Sequence, residues 1–228
     1  MKFAMKILRK ILGLRKILSK ISASAAALLL LSVPAFAAVG CDLNDPDRDV
    51  RRFFPESTGY KTEYVSVAKT GGNALYEKLQ ARLGDSFSGI FEKIDVPYTV
   101  YTVLKEDVPV GYIHGVNQKG KFGGMQVFLI LDPAGTIRNF YFQKLTSRGA
   151  RALRSREFGA QFVGLSLADF AEYDVPARRA PAGTRVAEIK NPAPESEEDF
   201  YAALRGTKKN LLLMDAFIFN PAKENGRQ

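Results

Sequence analysis

The chain has 228 residues, 46% apolar and 25% charged, which suits one folded domain with extensions and excludes a disordered or collagen-like protein. The formal net charge of +9 would point to nucleic acid if it were spread over the domain. Seven lysines and arginines and no acid fall in residues 1–40, leaving +2 for residues 41–228, so the basic balance belongs to a leader and nucleic-acid binding is not expected.

Residues 1–22 are basic and amphipathic, Ala23–Phe36 is an apolar run of roughly 14 residues, and small residues follow. This is the pattern of a secretory signal peptide, and the run is short for a membrane span. Two cleavage sites are legible. Ala35-Phe36-Ala37 suits ordinary signal peptidase. Ala38-Val39-Gly40-Cys41 resembles the lipobox of bacterial lipoproteins, and Cys41 is the one cysteine in the sequence. Lipidation at Cys41 would hold the domain on a membrane surface, and Asp42 behind it resembles an inner-membrane retention signal. The expectation is an inner-membrane lipoprotein facing the periplasm, with a soluble periplasmic protein as the alternative. No intramolecular disulfide is possible.

Residues 41–54 are charged, contain Asn44-Asp45-Pro46, and read as a tether. The domain proper is expected over 55–222, with 223–228 a polar tail. Tyr64–Val67 suits a short strand. Asn73–Phe87 is expected as a helix, with Asn73 as N-cap, Leu75, Leu79 and Leu83 on one stripe, and Gly84 as the stop. The period then changes. Tyr98–Leu104, Gly111–Asn117, Met125–Asp132 and Thr136–Leu145 read as strands joined by short Gly/Pro turns, an antiparallel meander. The third is nearly continuous in apolar residues and is expected to be central, covered on both faces. A helix is expected over about 150–162, a strand over Thr184–Lys190, and two last helices over Ser196–Leu204 and Leu211–Phe219. The class is α+β, a twisted antiparallel sheet of about four to six strands flanked by helices.

The sequence holds one histidine, His114, which rules out a His/Cys zinc cluster and weakens any Ser-His-Asp arrangement. A lone strand histidine is expected to be packed. There is no phosphate-binding Walker loop and no GxGxxG after a strand, so a stand-alone enzyme is not indicated.

The stretch "GKFGGMQVFLILDPAGTIRNFYFQKLTSRGA", followed by "REFGAQFVGLSL", resembles the FMN-binding domain family. That family includes the periplasmic flavin subunits of the Rnf complex and of the sodium-pumping NADH:quinone reductase. Where that family carries a glycine pair before an apolar strand, this chain has Gly123 and Gly124. Its Thr-containing loop falls at Thr146, Arg148 and Gly149, though Leu145-Thr146-Ser147-Arg148 stands where Glu-Thr-Pro-Gly is usual. Its attachment threonine falls at Thr207, preceded by Arg205 and Gly206 and followed by Lys208. The resemblance covers roughly 95–219 and implies FMN, held through Thr207 or noncovalently, in a protein that passes electrons to a membrane redox partner. A helix beginning after Thr207 would offer a phosphate its free N–H groups and positive end, with Arg205 and Lys208 adding charge. Each such contact is worth ~0.5–2 kcal/mol. The alternative is a non-enzymatic binding or scaffold lipoprotein that keeps the fold and has lost flavin.

Overall fold

The computed structural model describes residues 41–221; the expected signal peptide and polar tail lie outside them. In chain order the elements are α1 (Pro46–Phe53), β1 (Gly59–Val65), α2 (Val67–Thr70), α3 (Gly72–Leu83), β2 (Tyr98–Lys105), β3 (Val108–Lys119), β4 (Gly124–Leu131), β5 (Ile137–Leu145), α4 (Ala150–Leu153), α5 (Arg156–Ala160), α6 (Leu167–Phe170) and α7 (Glu197–Met214), followed by a π-helical turn, Asp215–Phe219. The five strands form one antiparallel sheet in the order β1-β2-β3-β4-β5. This is the expected α+β class with one more strand than the meander, since β1 pairs Val65 with Tyr98; the expected Tyr64–Val67 segment is strand only to Val65, because Ser66 caps α2 and Val67 begins it.

The pleat sorts each strand between two cores. On β4, Met125, Val127, Leu129 and Leu131 face the larger cluster, shared with α3 and α7, while Phe128 and Ile130 face the smaller one on the back of the sheet. Burial on both faces explains why β4 reads as a continuous apolar run. It is an interior strand, although β3 is the middle one of the five. On α3 the stripe Leu75, Leu79 and Leu83 is fully buried and Gly84 ends the helix in the left-handed conformation at φ 76°. The cap differs from expectation: the helix begins at Gly72, with Gly71 in the cap position and Asn73 inside.

Four further expectations are corrected. Residues 41–54 are no tether. Asp45 caps α1 by accepting the Arg48 N–H, Pro46 takes the first turn, and Val50 and Phe54 are buried under the sheet. The helix over 150–162 is two, because Ser155 leaves helical geometry and caps α5 through the Phe158 N–H. Thr184–Lys190 forms turns, not a strand; Val186 and Ile189 are the buried pair, and a three-residue spacing buries one side of a turn where a strand needs a spacing of two. The two last helices are one, running unbroken through Gly206. A Cβ on Gly206 would come within 3.0 Å of Val127 Cγ2, so this glycine permits close approach of helix and sheet instead of ending a helix.

Candidate functional site

The unbroken α7 removes the helix start expected after Thr207. Thr207 sits in the third turn, fully buried, and its hydroxyl donates to the Ala203 carbonyl at 2.9 Å. The backbone N–H groups there are spent inside the helix. Lys208 is buried too, its Nζ donating to the Tyr173 carbonyl at 2.8 Å. Neither residue presents a phosphate-binding group to solvent.

The other expected residues divide. Gly123, Gly124, Thr146 and Arg148 gather at one end of the sheet: a Cβ on Gly123 would meet the Thr146 side chain at 3.1 Å, and the Arg148 guanidinium lies 4.8 Å from the Phe122 ring centre. Gly149 is packed against protein, with its N–H donated to Ser196 Oγ at 2.8 Å and the space over its Cα filled by Ala193 and Ser196. The true start of α7 is therefore at this end, but its first turn carries Glu197, Glu198 and Asp199. Asp199 is fully buried and accepts the Lys121 N–H at 2.7 Å. The helix meets its positive end with its own carboxylates, which repels a phosphate. The residues present do not fit an FMN ester at Thr207 or an FMN phosphate on this helix terminus.

Arg205 leads to a group that the sequence did not disclose. Its Nε meets Asp85 Oδ2 at 2.6 Å, and its Nη1 meets Glu92 Oε1 at 2.6 Å and Gln118 Oε1 at 2.8 Å. On the far side of Glu92 lies Lys209, fully buried, with Nζ 2.6 Å from Glu92 Oε1 and 2.6 Å from the Asn117 carbonyl. Burial alone would push the Glu92 carboxyl up, but the Lys209 ammonium and Arg205 guanidinium overcome it and hold the group down at about 2. The next residue, Asn210, donates to the carbonyls of His114 and Val127 and turns its Oδ1 to His114 Nδ1 at 2.7 Å. An amide oxygen accepts only, so the imidazole carries its proton on Nδ1. Burial holds His114 down to about 4, leaving it neutral at pH 7. Glu92, Asp85 and Asn117 come from loops and strands that carry no local motif, so only the fold reveals their role.

The outer side of Arg205 opens on a cleft of about 330 Å³. Its floor is the α7 stripe Glu198, Tyr201, Ala202 and Arg205, at helical spacing. One wall is the β3–β4 turn with Lys119 and Lys121, the other the turn Val175–Arg178.

At the back of the sheet, Cys41 is 2% exposed, and a Cβ on Gly115 would touch its Sγ at 2.8 Å. The residues after it are fastened: Thr99 Oγ1 donates to Asp42 Oδ1, Gln143 Nε2 to the Asp42 carbonyl, and the Leu43 N–H to the Tyr101 hydroxyl. Burial pushes the Cys41 thiol far up from its ordinary value, and it is the thiolate that reacts. Iodoacetamide at pH 8 is expected to leave Cys41 unmodified in the folded protein and to alkylate it fully in 6 M guanidinium; intact mass decides, and rapid labelling of the native protein would contradict the packing.

No protein-family model matches the chain, and no curated protein matches it.

Proposed function

We propose that the chain is an exported, non-enzymatic binding protein that shares the frame expected of the FMN-binding domain family but carries no flavin at Thr207. The observation that carries this reading is the uninterrupted α7, which seals the Thr207 hydroxyl inside the core with the Ala203 carbonyl as its acceptor. Electron transfer has no support from the residues gathered around Arg205, whose charges neutralise one another. The leader pattern of residues 1–40 supports export. The burial of Cys41 supports cleavage after Ala37, which makes the protein soluble in the periplasm: diacylglyceryl on Sγ has no room between Gly115 and the back-face core.

The test is periplasmic expression from the chain's own leader, together with a flavin transferase, followed by visible spectroscopy and intact mass. A colourless protein without an FMN mass increment is expected. Flavin absorbance with an FMN increment that disappears in Thr207→Ala would overturn the reading, and a diacylglyceryl increment on Cys41 would overturn the soluble location.

A further inference from the structure

We infer that the cleft over α7 binds a small organic anion, a single carboxylate or phosphate head on a compact apolar body; this rests on the binding-protein reading above. The cleft is shaped by what its floor lacks. Between Glu198, Tyr201 and Arg205 the helix places Ala202, and the small side chain leaves a hollow where a larger one would fill the groove. Val175, Pro176, Ala202 and the Tyr201 ring give the hollow an apolar lining for a ligand body.

Charge supplies the selectivity. Lys119, Lys121 and Arg178 stand on the rim; the acids that line the cleft are Glu198 and Asp85, the latter paired with Arg205. Lys121 pairs with Glu198 at 3.0 Å, with both side chains nearly half exposed, a contact of the weak solvated kind that a ligand can displace. Among the described residues neither Lys119 nor Arg178 is in an ion pair. Arg205 is different: Asp85 and Glu92 fix it, so it forms a rigid floor that costs no ordering when ligand enters.

Arg178 is also one of two non-glycine residues held at positive φ among the described residues, at 55°. That conformation is disfavoured for a side chain with a Cβ. Here it turns the guanidinium over the Tyr201 ring, 5.2 Å from its centre, at the cleft mouth. Stacking on an aromatic face keeps the planar cation extended and its outer N–H edge free for a bidentate anion. Two cations without acid partners beside an aromatic wall, over a fixed floor, describe a receptor for one anionic head with a flat or compact body.

The experiment is calorimetric titration of the exported protein with benzoate, phenyl phosphate and inorganic phosphate. Benzoate or phenyl phosphate is expected to bind, and the stronger of the two identifies the head. Inorganic phosphate should bind more weakly than phenyl phosphate because it leaves the apolar lining unused. Arg178→Asn keeps a residue that tolerates positive φ, and together with Lys119→Gln it should weaken binding by about tenfold or more. The melting temperature of the double variant, measured in parallel, should stay within a few degrees, since both side chains are on the surface. Failure of all three compounds to give heat overturns the inference, as does unchanged affinity in the double variant. Either result leaves the flavin test untouched, and a flavin adduct in that test leaves these affinities readable.

Discussion

Replacement of Lys209 by alanine is expected to destabilise the domain by about 3 kcal/mol or more, the range for removing one partner of a buried ion pair. The reason is what stays behind. Glu92, with its side chain 5% exposed, would retain Arg205 but lose the ammonium 2.6 Å from its Oε1, and the Asn117 carbonyl would lose the hydrogen bond from Lys209 Nζ. Lys209 itself is fully enclosed by α7 and the sheet, and solvent approaches Glu92 and Asn117 from the pocket they line on their outer side. Urea unfolding followed by far-UV circular dichroism measures the loss; a change under about 1 kcal/mol would show that the site relaxes to admit solvent. Lys209→Met with Glu92→Gln, which removes both charges, should cost much less than Lys209→Ala alone. The same pair sets an acid limit. Because the Glu92 carboxyl is depressed to about 2 in the folded protein, its contribution is complete above the ordinary carboxylate range. It disappears as pH falls through about 2. Glu92→Gln should therefore flatten the acid end of the stability profile.

Phe54→Ala should cost about 3–5 kcal/mol, the range for truncating a buried aromatic residue. The ring is fully enclosed, the Arg138 guanidinium lies 5.0 Å from its centre, and a Cβ on Gly111 would come within 2.4 Å of its edge. Glycine at 111 is what allows the ring to lie flat on β3. Its loss opens a hollow bounded by Val50, Val103, Ile113 and Ile130, which the sheet is too stiff to close. Arg51→Ala, at an exposed position on the same helix, is the control and should stay within about 0.5 kcal/mol. If thermal unfolding shows Phe54→Ala indistinguishable from Arg51→Ala, then residues 41–54 do not belong to the folded unit.

The strands were legible because their signal is local. Tyr98–Leu104 alternates, the turns hold glycine and proline, and the run at β4 declares burial on both faces. The leucine stripe and Gly84 of α3 were equally plain. What failed did so where one local signal has two meanings. Arg205-Gly206-Thr207-Lys208-Lys209 reads as a break and a new cationic helix start, and nothing nearby says otherwise. Its counter-charge, Glu92, lies 117 residues earlier in the chain, and a lysine becomes a core residue only when the fold delivers that carboxylate. Asp45-Pro46 carried a usable signal, an N-cap followed by proline in the first turn, but the dense charge of 41–52 masked Val50 and Phe54. The cleft was invisible for a different reason: its floor is one helix face, and its rim comes from turns more than fifty residues apart.

The sequential strand order has a consequence for how the protein is made. Each strand pairs with its neighbour in the chain, so hairpins can assemble one after another as residues become available. They still lack a lid: the front of the sheet is closed by α7 and by Ala216 and Phe217 just beyond it. A nascent chain short of that point carries an open apolar sheet and a Glu92 without its Lys209 and Arg205 partners, so the polypeptide stays pliable until α7 has been made. Such a chain is suited to threading through a narrow pore, as the proposed export would require, and would lock only after the final helix has emerged.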